Sequence, residues 1–465
     1  MYSVWRRISI SSPGTMNSAG SCKSSICLSL TLPGAPTKNA AAGEPAMARP
    51  AGTDVIEVML DATELRVKAK VGTLYPQAVR TDFLAPFRYE PSWLGAEHAF
   101  LLDPRLELWN GEQYPPADAP AFGVFLDSAP DHWGRALMER REAALARREG
   151  RAMRALQELD FLLGAHDVTR MGALRFRVSQ NGRFLDHGTN PAPPVSSLAE
   201  LAQISRRIEE PGAENLPEYE SWLAMLSAPA TSLGGARPKV NFTDKDGRLW
   251  IAKFPAHDDR YDVGRWEFVV HRLAARAGVR VPESRLEQLT DRHGTFCVAR
   301  FDRIPGSRRM YASAMTLLER HNDEPGGSYL DIAEFISDQG ANGRIDQDLE
   351  QLFRRAVFNV LIGNRDDHLR NHGFTLEPTG WRLSDAFGMN INVAKARHDL
   401  TFDGQSAEPN IGTVLQTADL YRLQAGRART IVNEVRRAVS AWRDEAPHQG
   451  LTGSELQRME AAIEA

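Results

Sequence analysis

The stretch Val357-Phe-Asn-Val-Leu-Ile-Gly-Asn-Arg-Asp-Asp-His-Leu-Arg-Asn-His372 changes character halfway along. Its first part belongs to a helix. Leu349, Leu352, Phe353, Ala356, Val357, Val360 and Leu361 recur at helical spacing and would share one buried face. Gly363 is placed to stop that helix. A dense polar loop follows, Asn364-Arg365-Asp366-Asp367-His368-Leu369-Arg370-Asn371. One reading is a charged surface turn after a core helix. The other is a loop built for chemistry, because Asp366 and Asn371 set a carboxylate and a short amide oxygen one loop-turn apart.

That spacing is the one used by protein-kinase catalytic loops. There the aspartate accepts a hydrogen bond from the attacking hydroxyl, and the asparagine reaches the magnesium that holds the phosphates. Upstream, Ser232-Leu-Gly-Gly-Ala-Arg-Pro-Lys239 is a glycine-containing turn before a strand near Val240–Phe242. Gly234 and Gly235 would let backbone N–H groups approach phosphate oxygens, although an ordinary bend is the alternative. No Gly-Lys-Ser/Thr follows, so this is not a Walker A loop. A hairpin at Asp244–Gly247 leads to a strand Leu249–Phe254, which carries Lys253 where kinases place the lysine that binds the phosphates. The helix expected over Val263–Ala277 offers Glu267 as the carboxylate that would steady Lys253, with a solvent-exposed first-turn glutamate as the other reading. A strand at Phe296–Phe301 and a mainly helical remainder complete a two-lobe order.

Composition narrows the class. The chain has 465 residues, 42% of them apolar, enough to bury two or three domain-sized cores. A net charge of −4 gives no global case for wrapping nucleic acid. The three cysteines, Cys22, Cys27 and Cys297, lack metal-ligand spacing, which fits a reducing, cytoplasmic compartment rather than a disulfide framework. No apolar run approaches the roughly 20 residues that span a bilayer, so no membrane partner is expected.

The divisions expected along the chain are five. Residues 1–52, rich in Ser, Ala, Gly and Pro, read as a disordered leader, with a true start at Met47 as the alternative. Residues 53–150 form a β-rich subdomain, with strands at Val55–Leu60, Leu65–Val71 and Phe87–Tyr89. It ends in a helix over Ala129–Arg148 with a capping-box spacing at Ser128 and Asp131. In that helix Asp131, Trp133 and Arg135 are either a docking surface or, as favoured for Trp133, a cap and a core residue. Residues 151–305 hold a helix at Ala152–Leu163, a strand at Gly172–Val178, a helix capped by Ser197 with Glu200, and the phosphate-binding half. Residues 306–445 make the helical half with the central loop, and 446–465 a helical tail.

With these pieces in place the chain resembles the HipA-type serine/threonine kinases, toxins of bacterial type II toxin–antitoxin modules. The resemblance runs from about Val55 to Leu423. It rests on Phe125–Arg135, Arg170-Met-Gly-Ala-Leu-Arg-Phe176, Ser232–Lys239, Ile251-Ala-Lys-Phe254, Ala299-Arg-Phe-Asp-Arg303, Tyr311–Leu317, Gly363–Asn371, Leu383–Asn390 and Lys395-Ala-Arg-His398. It implies an α+β, two-lobed protein-kinase-like fold with an added N-terminal β-rich subdomain. It also implies ATP and Mg2+ as cofactors, Asp366 as the catalytic aspartate, Asn371 as a magnesium ligand and His368 as a residue shaping the loop. Lys253 and the Ser232–Lys239 loop would hold the phosphates, with Ser232 open to autophosphorylation. It implies a protein substrate, an aminoacyl-tRNA synthetase in the best-known case. It also implies a small helix-turn-helix antitoxin of HipB type, through which DNA would be reached only indirectly. One departure matters. The family's metal-binding turn reads Leu-Ser-Pro-Ala-Phe/Tyr-Asp, and this chain reads Leu383-Ser-Asp-Ala-Phe-Gly388. Either Asp385 takes over as the metal carboxylate, or the chain is a catalytically impaired nucleotide- and antitoxin-binding protein.

Overall fold

The computed structural model describes residues 55–79, 82–178, 182–185, 191–230, 235–304, 306–320 and 326–464. The readings made for residues 1–52, Ser232 and Gly234 lie outside the described residues. The first alternating runs become β1 (Ile56–Ala62) and β2 (Val67–Leu74). With β3 (Phe87–Tyr89) and β4 (Leu174–Arg177) they form an antiparallel sheet in the order β3-β2-β1-β4. Ile56, Val58, Leu60 and Ala62 alternate into one face, as period-two patterning requires. Phe125 fills the space beneath, its ring 5.3 Å from Phe87 and 6.2 Å from Phe176. Each such side chain contributes roughly 1.5–3 kcal/mol on burial.

Two expected helix starts and one expected cap are corrected. Helix α1 (His132–Glu149) begins at His132, not Ala129. Asp131 is its cap, accepting from the His132 N–H at 2.9 Å, while the Ser128 hydroxyl donates to the Phe125 carbonyl and is spent on the preceding turn. Helix α2 (Glu158–Gly164) starts six residues later than expected because Gln157 and Asp160 close a capping box there. Before α3 (Leu198–Arg207) a 3₁₀ turn runs straight into the helix, so Ser197 is already helical and its side chain caps nothing. Helix α4 (Tyr219–Ala230) was not anticipated; apolar residues around most of its circumference and Pro229 near its end mask its period.

A second antiparallel sheet follows, made of β5 (Lys239–Thr243), β6 (Leu249–Lys253), β7 (Ser284–Glu287) and β8 (Thr295–Ala299) in the order β5-β6-β8-β7. Ala252 and Cys297 face a core shared with Trp133, Leu201, Leu223 and Trp250, so α1, α3 and α4 cover that side. Lys253 and Phe296 point the other way, toward helix α5 (Val263–Arg276), whose His271 ring lies 5.5 Å from Phe296. Asp302, just past β8, is fully buried. It accepts from the Gly172 N–H at 2.9 Å and from Arg300 at 2.6 Å, which ties the first sheet to the second.

The remaining half is mainly helical. Strand β9 (Tyr311–Ser313) pairs with β10 (Gly373–Glu377), which pairs with β11 (Gly380–Leu383). Helices α6 (Tyr329–Gln339) and α7 (Ile345–Ile362) pack beside them. The seven apolar residues expected on one face of α7 are all buried, and so are Phe358 and Ile362 on the rest of its surface. Gly363 ends it in the left-handed region at φ +73°. The chain closes with α8 (Ala425–Ser440), α9 (Trp442–His448) and α10 (Gly453–Glu460). These helices return to α5. Glu445 takes Arg272 at 2.5 Å and also Arg276, Glu455 accepts from the Asp262 N–H at 2.9 Å, and the Trp266 and Trp442 rings lie 6.3 Å apart.

Candidate active site

Two strand lysines project side by side from one face of the second sheet, because the β5–β6 register sets Lys239 opposite Lys253. Lys253 is ion-paired with Glu267, which sits in the second turn of α5 and is buried rather than solvated. Asp262 positions that turn by capping α5, accepting from the Arg265 N–H at 2.9 Å. Lys239 is buried too. Desolvation, then the charge of Lys253, pushes its ammonium down to about 7. Gly235 sits over it: a Cβ there would lie 2.9 Å from Lys239 Nζ, the movable end of that side chain, so the left-handed backbone at φ +86° rather than space is what asks for glycine. Such lysines, beside a turn whose backbone approaches closely, make a place for an anion.

Gly235 is also pinned from outside. Its N–H donates to Asp131 Oδ2 at 2.8 Å, and its carbonyl accepts from the Trp133 N–H at 3.2 Å. Asp131 faces Arg370 of the central loop at 3.7 Å. Asp131 therefore caps α1 and faces the central loop through Oδ1 while it holds Gly235 through Oδ2. Trp133 is a buried core residue, and Arg135 pairs with Glu158.

In the central loop the two adjacent aspartates part company. Asp366 is exposed, at 55% of its side-chain surface. Asp367 is buried and receives Asn359 at 3.0 Å, His372 at 2.7 Å and the Tyr329 hydroxyl. Burial alone would raise the Asp367 carboxyl; His372 and these hydrogen bonds outweigh it and hold the group below the usual range. This anchor fixes the backbone from which Asp366 projects. His368 precedes a 3₁₀ turn over Leu369–Asn371, and its carbonyl accepts from the Asn371 N–H at 2.8 Å. The Asn371 amide donates to the Asp366 carbonyl at 3.0 Å, so the two residues close one compact loop.

Gly388 lies against this loop. Its backbone is left-handed, φ +71°, and a Cβ placed there would be 2.9 Å from Asn371 Oδ1. The position where the resemblance led one to expect a carboxylate is thus the one beside Asn371. Asp385 is directed elsewhere, with its carboxylate 3.1 Å from Arg280 Nε. The described residues contain no group of three or more His, Cys, Asp or Glu side chains that could hold a metal. Asn371, whose side-chain oxygen lies beside Gly388, is the residue of this loop that could reach a magnesium ion.

Lys395 went unread in the sequence as a site residue. It lies 29 residues beyond Asp366, and no spacing rule links them. Its ammonium nevertheless pairs with the Asp366 carboxylate and with Asp399 at 2.7 Å.

A sheet lysine paired to a helix glutamate, above an Asp-to-Asn loop at the end of a buried helix, defines an α+β fold of protein-kinase type. Residues 231–442 match the family model of the HipA-like C-terminal domain. A little under half of the chain is thus similar to the HipA-type proteins, the resemblance that its ordered motifs led one to expect. It is 27% identical over 164 residues to a putative kinase of Haemophilus influenzae, covering 31% of this chain and 47% of that protein. It is 27% identical over 204 residues to the serine/threonine-protein kinase toxin HipA of Shewanella oneidensis, covering 38% of this chain and 46% of that one. Each match therefore spans about half the length of the relative. Among solved structures, HipA of Shewanella oneidensis, determined with HipB and operator DNA, superposes with a TM-score of 0.61. That match covers 88% of this chain and 94% of the other at 18% identity, a likeness of fold.

Proposed function

We propose that the protein is an ATP-dependent serine/threonine protein kinase of the HipA toxin type. The observation that carries this reading is the pair of half-buried Lys253 with buried Glu267, which a kinase needs in order to hold the phosphates and which an ordinary hairpin-and-helix has no cause to build. Lys253, Lys239 and the turn ending at Gly235 bind the triphosphate. Asp366 accepts the hydrogen bond of the incoming protein hydroxyl and orients it, and Asp367 keeps Asp366 in place. When bound, magnesium neutralises the phosphates, and Asn371 is the residue that would hold it. The acceleration then comes from positioning and fixed charge rather than a covalent intermediate. A helix-turn-helix antitoxin of HipB type is the proposed restraint, with DNA reached through it. The test is incubation of the purified chain with ATP and magnesium, read by intact mass and by transfer to a generic protein acceptor. Asp366→Asn should abolish transfer while leaving thermal unfolding unchanged; equal transfer by that variant sinks the reading.

Gly388 supports a second reading, a kinase-fold protein that binds nucleotide and antitoxin without efficient transfer. The discriminating variant is Gly388→Asp. Aspartate tolerates left-handed backbone better than most residues, and the atom it meets is the movable end of Asn371. A gain of at least about tenfold in transfer marks a decayed enzyme. An already active protein that gains nothing removes the second reading.

A further inference from the structure

The ammonium of Lys395 is held where a kinase has most need of positive charge. Three bonds strap its segment to the central loop. The Asn392 N–H donates to the Gly363 carbonyl at 2.9 Å, the Asn390 N–H to Asn364 Oδ1 at 3.4 Å, and Arg365 Nη1 to the Lys395 carbonyl at 2.9 Å. The Asn392 side chain fixes the local turn by accepting from the Ala394 and Lys395 N–H groups at 2.9 and 3.0 Å. The side chain then reaches Asp366, and Asp399 grips it from behind at 2.7 and 2.9 Å. Lys395 keeps 39% of its side-chain surface exposed, so the ammonium is both fixed and open to a ligand.

Resting on the kinase reading, we propose that Lys395 is a further phosphate-binding lysine, held over Asp366 to contact the γ-phosphate of bound ATP. The geometry leads there directly. A hydroxyl that hydrogen-bonds to Asp366 must meet the γ-phosphorus in line, so the transferring phosphoryl lies within one oxygen of that carboxylate. A cation touching the carboxylate is then within reach of a phosphoryl oxygen as well. The ammonium has three donors, and the one on Asp366 can pass to phosphate when the substrate hydroxyl takes its place. Asp399 retains the others and keeps the lysine from swinging away. Lys253 and Lys239 lie on the second sheet and Lys395 on the segment strapped to the central loop, so the triphosphate would be gripped from both halves.

The experiment compares ATP and ADP affinity by calorimetry on the full-length protein, once with magnesium and once in EDTA. The variants are Lys395→Met, close in shape and neutral, and Lys395→Arg. The native protein should prefer ATP, and Lys395→Met should weaken ATP about tenfold while leaving ADP within about twofold, in EDTA as well as with magnesium. Lys395→Arg should restore most of the preference. Equal weakening of ATP and ADP would reveal a purely structural lysine, and no change in either would show that it touches no phosphate; both overturn the proposal. A native protein that binds neither nucleotide overturns it together with the kinase reading. A native protein that transfers no phosphate, yet loses its ATP preference in Lys395→Met, removes the kinase reading alone.

Discussion

At the scale of single residues, Lys239 and Lys253 predict opposite experiments. Burial and the neighbouring charge put Lys239 near 7, so much of it is neutral at pH 8 in the free protein. A triphosphate favours its charged form. Nucleotide binding at pH 8 should therefore take up protons, and ATP affinity should fall as pH rises above about 7. Calorimetry in buffers of differing ionisation enthalpy reads the proton count, and Lys239→Met should remove it. The sign for folding is the reverse. Between about 7 and the ordinary 10.5 the unfolded chain holds a proton that the folded site has lost, so this group makes stability rise with pH across that window. Lys253→Met should lower kcat/KM about a hundredfold, since it removes a charged phosphate contact and leaves Glu267 buried without its partner. A tenfold loss or less would count against the pair's role.

Among the elements, α5 shows what a sequence discloses and what it withholds. Its extent was legible because Val270, Leu273 and Ala274 fall at helical spacing on one face with Glu267. Lys253, at the end of an alternating strand, was legible for the same reason. Whether Glu267 faced solvent or Lys253 was not, because a first-turn glutamate looks the same in either case; the register of β5 and β6 and the seat of α5 decide it. Helix α4 escaped because its period is blurred, and Lys395 because two segments 29 residues apart meet only in three dimensions. Asp131 was read as either a cap or part of a docking surface; it is a cap, but its bond to Gly235 depends on a residue about a hundred positions later, and nothing local announces it. The latch on α5 gives a prediction at this scale. Glu445 is buried, and Arg272, Arg276 and Gln449 all donate to it. Glu445→Ala should cost about 1–3 kcal/mol in urea unfolding and reduce phosphate transfer, because α5 carries Glu267. Unaltered transfer in a destabilised variant would separate the latch from the site.

Across the whole molecule, the first sheet and the kinase half are joined by buried charge. Burial would raise the Asp302 carboxyl, and Arg300 and Arg303 outweigh it and hold the group far below the usual carboxylate range. Asp302→Asn would leave two buried guanidinium groups short of charge, which costs about 3–5 kcal/mol. The native protein should unfold in one calorimetric transition across this joint, and the variant in two or at a clearly lower temperature. The α+β architecture could be argued from the order of patterned segments, but the joint could not, since its members come from residues near 170 and 300. Gly235 carries a last consequence. Its amide and carbonyl are fastened to the start of α1, a helix outside the sheet that bears Lys239. That makes Gly235 a shared anchor: a protein gripping the start of α1 would hold, through Asp131 and Trp133, the residue four positions before Lys239.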